Sequence, residues 1–294
     1  MVFLGYKSTK NGVLVEIISN FKRLTVFSYP LSKGIGISAV WRLLRAVVEE
    51  LSMAFYMDSK FLDSPLNYEG IAQALELRRF LESDIHPESK DDSQNDERKR
   101  DLFEIMRGDK ERSIIVTSSL RRAISTTTLA FWPRIEKTGE KIFILSSLQE
   151  ISRNIDTRAL SKAKEVADLP FARISPYCSS HGGNFSPDEV YDTSENYGNK
   201  TRNFYGGKRL TSFNEWIFQR EENVIIAGGH SLWFKNYFQT YMPHRAEHDA
   251  KMKKITNSGA VSFTVHCAED AEGAAQYRIE PGSIEVLYGG FTTK

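Results

Sequence analysis

Two similar junctions constrain the fold of this chain more than any other feature of its sequence. In each, a short apolar run ends in small residues and leads at once into a helical pattern, at residues 114–123 (IIVTSSLRRA) and 224–234 (VIIAGGHSLWF). Such apolar runs are typical of buried strands, and a strand followed by a helix is the basic unit of an α/β fold. Ligands bind at the carboxyl ends of such strands, so both junctions are candidate binding positions.

Other segments extend this pattern along the chain. Strand-type runs occur at residues 13–18, 113–117, 141–145, 223–227, 260–265 and 283–287. Helical spacing predicts a helix capped by Asn67 and continuing through Leu81, a second at 120–131 that stops before Pro133, a third at 208–219 and a fourth after His230. The alternation predicts an α/β fold, a three-layer α/β/α sandwich with a mostly parallel central sheet. The charged stretch 86–100 (HPESKDDSQNDERKR) predicts a disordered loop.

The charge balance narrows the class of partner. The 294 residues include 39 Lys and Arg against 38 Asp and Glu, a net charge of +1, whereas nucleic-acid binders usually carry a strongly basic face. We therefore expect no nucleic-acid partner, although a local basic pocket for a small anion remains compatible with this balance. The two cysteines, Cys178 and Cys267, are too few for a disulfide framework or a zinc cluster, which favours a reducing, cytoplasmic compartment.

The most apolar long stretch, residues 38–57, is not expected to span a membrane. It contains four charged residues, and apolar residues recur at helical spacing from Trp41 to Phe55. This pattern predicts an amphipathic helix packed on the domain. A helix lying in a membrane interface is the alternative, although its polar face is mixed in charge rather than basic.

Three side chains near the strand ends are candidates for chemistry. Arg122 falls in the first helical turn after a strand, where a planar guanidinium can hold two phosphoryl oxygens; alternatively, it is a solvated helix residue. His230 follows two glycines and can donate a hydrogen bond to a phosphoryl oxygen; alternatively, it only caps a helix. Glu150 follows the run 141–145 and is a candidate general acid for a leaving oxygen, although most glutamates are solvated.

Together, several segments resemble the histidine phosphatase superfamily, the phosphoglycerate-mutase-like proteins. The matching segments, in the family's order, are 63–74 (DSPLNYEGIAQA), 117–123 (TSSLRRA), Glu150, 229–231 (GHS) and 257–261 (NSGAV). The resemblance covers about residues 62–265 and implies one phosphoglycerate-mutase-like domain over residues 1–294, with a divergent N-terminal part at 1–61. It implies that Arg122, His230 and Ser231 bind phosphate and that Glu150 is the acid. Because no cluster of His, Asp or Glu has the spacing of metal ligands, we expect no metal, and we expect no cofactor.

The sequence departs from the family at the nucleophile. Family members use a histidine in an R-H-G motif after the first strand, whereas the first histidine of this chain is His86. One register places residues 18–20 (ISN) where R-H-G belongs, and another places residues 4–6 (LGY) there. Three explanations stay open at this point: a degenerate protein that binds without turnover, an N-terminus that is incomplete, or a different nucleophile such as water.

These considerations give two hypotheses for the function. The first is a phosphomonoesterase of the histidine phosphatase type by ancestry, weak or inactive because the nucleophile is absent. The alternative is a catalytically silent protein that binds a phosphorylated small molecule or phosphoprotein. Both predict that Arg122, Glu150 and His230 converge on one pocket, and that the position before Lys22 faces this pocket without an imidazole.

Overall fold

The computed structural model describes residues 2–6, 13–19, 61–83, 93–110, 113–169, 171–178, 185–200 and 206–293, together with residues 40, 41, 44, 45, 47, 48 and 51. The helices are α1 (Tyr68–Glu82), α2 (Ser93–Arg107), α3 (Arg121–Thr138), α4 (Phe171–Ile174), α5 (Pro187–Val190), α6 (Gly206–Gln219), α7 (Ser231–Tyr241) and α8 (Asp249–Met252). The strands are β1 (Val2–Tyr6), β2 (Val13–Ser19), β3 (Ser113–Ser118), β4 (Ile142–Leu145), β5 (Tyr191–Asp192), β6 (Val224–Gly229), β7 (Lys254–Ile255), β8 (Gly259–Ser262), β9 (Thr264–Glu269), β10 (Ala275–Ile279), β11 (Glu285–Tyr288) and β12 (Phe291–Thr292).

Four neighbouring strands of the main sheet are parallel, in the order β6-β3-β4-β5, with β5 at the edge. Ile114 of β3 lies opposite Ile225 of β6, and Val116 lies opposite Phe143 of β4. All six residues of β6 and five of the six in β3 are buried. Because strands covered on both faces need apolar side chains on both, their sequences are nearly continuous apolar runs rather than alternating ones.

The remaining strands of this sheet pair mostly antiparallel. β8 pairs with β11, β9 pairs with β10, and β8 and β9 both pair with β2, all in antiparallel registers. The short connection from β9 to β10 explains one of these pairings, because a tight turn can join only antiparallel neighbours. The predicted parallel sheet is therefore confirmed for β6, β3, β4 and β5, whereas the N-terminal and C-terminal strands add mostly antiparallel pairs.

Helices cover both faces of the central strand β6. A Cβ atom on Gly228 would meet Thr127 of α3, whereas one on Gly229 would meet Phe234 of α7. Because successive residues of a strand point to opposite faces, α3 and α7 lie on opposite sides of the sheet. This arrangement confirms the predicted three-layer α/β/α architecture.

The helix predicted from Asn67 is confirmed as α1. The Asn67 side chain accepts a hydrogen bond from the backbone nitrogen of Gly70, which satisfies one of the donors that a helix start leaves exposed. Ile71, Ala74 and Leu77 are buried on one face, as the helical spacing predicts. The predicted helices at 208–219 and after His230 are confirmed as α6 and α7.

Two predictions from local composition are wrong. The disordered loop predicted at 86–100 is wrong for residues 93–100, which form the first part of α2, a helix whose later residues Leu102, Phe103 and Met106 are buried; residues 86–92 lie outside the described residues. Helix α3 does not stop before Pro133 but continues to Thr138. Its continuation is held by the buried Arg134, which pairs with Glu140 and donates to the carbonyl of Ile105 at 2.6 Å, contacts that outweigh the helix bond lost at the proline.

The amphipathic helix predicted at 38–57 is described only in part. The described residues are helical, and among them Trp41 and Val48 are exposed by 69% and 65%. The predicted packing of this apolar face on the domain is therefore wrong for these two residues. Within the described part of the chain, no helix combines the length and apolarity needed to cross a membrane.

Candidate functional site

The ends of β3 and β6 meet at the two junctions that the sequence singles out. Thr117 lies opposite Gly228 in the parallel register, so Ser118 and His230 follow at the same edge of the sheet. The Ser118 hydroxyl oxygen lies 2.8 Å from Nε2 of His230, and both residues are fully buried. A direct side-chain contact therefore joins the two junctions.

His230 does not serve as a simple helix cap. It occupies the N-cap position of α7, but its side chain makes no capping hydrogen bond. Burial lowers the pKa of His230 well below its ordinary value, and the positive charge of Arg122 lowers it further. The imidazole is consequently neutral at pH 7 and acts through hydrogen bonds rather than through charge.

Arg122 is a buried cation rather than a solvated helix residue. It lies in the first turn of α3 with 5% of its surface exposed, and its Nη1 donates to the carbonyl of Asp156 at 2.7 Å. Burial lowers the pKa of Arg122, whereas the nearby Glu150 and Asp63 raise it. The predicted position at a strand's carboxyl end, in the first turn of a helix, is confirmed.

Glu150 reaches the same region from the segment after β4. A 3₁₀ turn at Ser146–Leu148 ends the strand, and Glu150 follows it with 5% of its surface exposed. One carboxylate oxygen, Oε1, accepts from the backbone nitrogen of Ile151 at 2.8 Å. Burial raises the pKa of Glu150 above its ordinary value, and Arg122 is the first of the charges that oppose this rise.

Arg122 thus lies close enough to both Glu150 and His230 to affect their ionisation. Arg122 lowers the pKa of both Glu150 and His230, and the charge of Glu150 in turn raises the pKa of Arg122. Ser231, the fourth predicted residue, is the first residue of α7 and is half-buried. The chain therefore places an arginine, a carboxyl group and a neutral imidazole together at one edge of the sheet.

Two further cations in this region have no signal in the sequence pattern. Burial lowers the pKa of Lys200 to about 7 and that of Arg209 to about 10. Lys200 lies in a polar stretch outside any helix or strand, and its Nζ donates to the carbonyls of Glu150 and Ser152 and to the Thr157 hydroxyl. Arg209 lies in α6 and donates to the carbonyl of Gln149 at 2.8 Å. Both side chains hold the segment that carries Glu150 and add positive charge beside it.

Asp63 fixes the junction that carries Arg122. Its two carboxylate oxygens accept from the backbone nitrogens of Arg121 at 2.8 Å and Leu160 at 3.1 Å. Burial raises the pKa of Asp63 to about 6, against the opposing effect of these hydrogen bonds. Asp63 is the first residue of the segment 63–74 that resembles the family, so the sequence marks this position. Its role in anchoring the start of α3 is visible only in the structure.

The directions of β1 and β2 distinguish the two alignments that place either residues 4–6 or residues 18–20 at the R-H-G position. β2 runs parallel to β6, with Leu14 opposite Val224, so its carboxyl end lies at the same edge as His230. β1 runs antiparallel to β6, with Tyr6 opposite Val224, so residues 4–6 end at the other edge. The topology favours residues 18–20 over residues 4–6 as the counterpart of R-H-G. The position before Lys22 lies outside the described residues.

The donor set of this region is that of an anion site. Among the described residues, no group of three or more His, Cys, Asp or Glu side chains is arranged to hold a metal ion. Arg122, Lys200 and Arg209 lie near the carboxyl groups of Glu150, Asp63 and Asp156, and burial disfavours the charged forms of Glu150 and of the three cations. A bound anion would relieve that cost, because buried charges are stable only when they are paired.

Comparisons with known proteins give distant structural similarity only. No family model matches the chain, and no curated protein sequence matches it significantly. A mycobacterial glucosyl-3-phosphoglycerate phosphatase is 14% identical, with 79% of this chain and 91% of that chain covered and a TM-score of 0.38. A structure of a mycobacterial hydrolase is 12% identical, with 97% and 94% covered and a TM-score of 0.42. A vanadate complex of the phosphatase is 16% identical, with 78% and 89% covered and a TM-score of 0.38.

Proposed function

We propose that this chain binds phosphate monoesters at the edge formed by β3 and β6, and that it is a phosphomonoesterase of the histidine phosphatase type by ancestry with weak or absent turnover. The observation that carries the proposal is the 2.8 Å contact between Ser118 at the end of β3 and His230 at the end of β6, with the buried Arg122 in the first turn of the helix that follows β3. Arg122, Lys200 and Arg209 supply positive charge in this region, and burial raises the pKa of Glu150 and Asp63, which reduces the opposing negative charge and suits a dianionic phosphoryl group.

Each side chain has a role that its environment supports. Arg122 holds the phosphoryl oxygens through its guanidinium at the N-terminus of α3, where the helix dipole adds a favourable field. His230, neutral and buried, donates a hydrogen bond to a phosphoryl oxygen, and Ser231 follows it at the N-terminus of α7. Glu150, whose pKa is raised by burial, retains a proton to higher pH than an exposed glutamate and can pass it to a leaving oxygen.

The weak or absent turnover follows from the missing nucleophile. The sequence contains no histidine before His86, and β2, which runs parallel to β6, ends in Ile18 and Ser19 and is followed by Asn20 in sequence. Phosphoryl transfer needs a positioned nucleophile as well as charge stabilisation. Without a histidine at that position, we expect the remaining side chains to bind a phosphoryl group and to transfer it slowly.

Ligand entry requires movement of part of the site. Arg122, Glu150 and His230 are each at least 95% buried, with exposed fractions of 5%, 5% and 0%. The segment containing Ile155–Thr157 contacts Arg122 through the carbonyl of Asp156. We infer that this segment moves away from Arg122 when a phosphoryl group binds.

The proposal is tested by thermal unfolding of the full chain with inorganic phosphate, vanadate and sugar phosphates, combined with phosphate release from an aryl phosphate. A ligand present at 100 times its Kd stabilises the folded state by about 2.7 kcal/mol. We expect stabilisation by these anions and very slow release. Absence of any shift with all of them would contradict the proposed phosphate site.

A second candidate function, a catalytically silent phospho-ligand binder, is favoured by the missing histidine alone. The two are separated by restoring the motif with I18R, S19H and N20G in one variant. A phosphatase by ancestry should then gain phosphate release and form an acid-labile phosphohistidine. A variant that folds and binds phosphate like the wild type, yet gains no activity, favours the silent binder.

A further inference from the structure

The contact between Ser118 and His230 determines more than the position of the imidazole. Nε2 of His230 lies 2.8 Å from the Ser118 hydroxyl, and the backbone nitrogen of Leu120 donates to the same hydroxyl oxygen at 3.3 Å. Among the described residues, Nδ1 of His230 has no hydrogen-bond partner, although it is fully buried. A neutral imidazole carries its proton on only one of these two nitrogens.

The hydrogen bonds of the hydroxyl distinguish the two tautomers. If Nε2 carried the proton and donated to Ser118, then among the described residues the serine proton would lack an acceptor and the Nδ1 lone pair would lack a donor. If Ser118 donates to Nε2, both of those groups are satisfied, and the oxygen still accepts from Leu120. The Nδ1–H group is then the one group of this pair without a hydrogen-bond partner among the described residues. Since each unsatisfied buried polar group is costly, the second arrangement is the more stable one.

We propose that Ser118 is a positioning residue that holds His230 in the tautomer with the proton on Nδ1, so that the imidazole presents a hydrogen-bond donor to a phosphoryl oxygen. The proposal rests on the phosphate site described above and specifies how its histidine works. The opposite tautomer would present a lone pair to the anion, which repels it. A neutral histidine therefore needs this serine to act as a phosphate ligand.

The electrostatic surroundings make this selection necessary. Burial first, and then the charges of Arg122, Lys200 and Arg209, lower the pKa of His230. A protonated imidazole would donate from both nitrogens and would need no selection. The neutral form has one donor only, so the direction of the Ser118 hydrogen bond decides whether that donor faces the ligand or the protein.

The tautomer is measured directly by ¹⁵N NMR of the full chain labelled at histidine, because protonated and unprotonated ring nitrogens have different chemical shifts. The chain has six histidines, and the signals of His230 are identified by their loss in His230→Asn. We expect the proton on Nδ1 in the wild type and a shift toward the Nε2 tautomer in Ser118→Ala.

Phosphate affinity provides the second measurement. We expect Ser118→Ala to weaken binding of inorganic phosphate by about tenfold or more, the effect of losing one hydrogen bond to a charged group. Ser118→Thr keeps the hydroxyl and should retain most of the affinity. Ser119→Ala is the matched control, because Ser119 is equally buried in the same junction and its hydroxyl has no partner among the described residues.

The outcomes separate this inference from the proposed function. A wild-type protein that binds phosphate but carries the His230 proton on Nε2, or a Ser118→Ala variant with unchanged tautomer and affinity, overturns the role of Ser118 alone. A wild-type protein that does not bind phosphate overturns the phosphate site, while the NMR spectra still decide which tautomer Ser118 selects. Thermal unfolding of each variant shows whether a loss of affinity comes from loss of the fold.

Discussion

Gly228 and Thr127 lie so close together that a Cβ atom on the glycine would stand 1.9 Å from the Thr127 hydroxyl oxygen. The same hydroxyl lies 3.1 Å from that of Thr117 on the neighbouring strand. This contact sets the spacing between α3, which carries Arg122, and β6, which leads to His230. Gly228, two residues before His230, is therefore needed because a larger residue would clash with Thr127 of α3.

We expect Gly228→Ala to destabilise the fold by about 1–3 kcal/mol, the usual cost of forcing extra atoms into a packed core. Thr127→Ala removes the clashing oxygen, so the double variant should lose less stability than the sum of the two single changes. Gly207→Ala, where nothing lies within 4 Å of the added atom, is the control. Urea unfolding measures all four proteins, and additive effects would contradict the contact.

Asp63 should make stability fall as the pH rises between about 4 and about 6. The pKa of its carboxyl is raised from 3.8 to about 6 in the folded state, so the unfolded chain releases its proton first. Below about pH 4, Asp63 is protonated in both the folded and the unfolded state. Between about pH 4 and about pH 6 the free energy of unfolding falls progressively. Above about pH 6 it stays lower by about 3 kcal/mol.

The variant Asp63→Asn tests this pH dependence. Its amide keeps the oxygen that accepts from Arg121 but cannot accept from Leu160, which imposes a loss that does not vary with pH. We expect the free energy of unfolding to vary less between about pH 4 and about pH 6 than in the wild type. An identical slope in the two proteins would show that Asp63 does not titrate in this range.

Lys200 should make anion binding weaken as the pH rises through about 7, because burial lowers its pKa to that value and the ammonium charge is lost above it. Sulfate is the suitable probe, since it stays dianionic while phosphate itself titrates. The decline in sulfate affinity between about pH 6 and about pH 9 should be largely absent in Lys200→Met. Lys208→Met, a change in an exposed lysine, should keep the wild-type dependence.

The sequence predicts the parts of this fold that depend on local pattern. The apolar runs of β3 and β6 and the cap of α1 by Asn67 are confirmed because burial on both faces and capping leave direct signals in composition. Pro133 and the charged segment 93–100 give misleading signals, because the buried contacts of Arg134 and of the later residues in α2 override local preference.

The candidate site likewise combines residues that the sequence pattern predicts with residues that only long-range contacts bring together. Arg122 and His230 stand at strand-to-helix junctions, so the topology of an α/β sheet places them at one edge. Lys200 lies in a segment with no periodic signal, and Arg209 lies in a predicted helix whose spacing gives no sign of a site; both reach the site through long-range hydrogen bonds to residues 149–157. The bond between Ser118 and His230 likewise depends on the register of β3 and β6, which no single segment specifies.

The central claim is that Arg122 holds a phosphoryl group, and the most direct test is calorimetric titration of inorganic phosphate into wild type, Arg122→Met and Arg79→Met. Arg79 is exposed on α1, so its replacement removes the same charge away from the site. We predict binding by the wild type and by Arg79→Met, and a loss of affinity of about a hundredfold in Arg122→Met. Equal affinities in all three proteins would contradict the phosphate site.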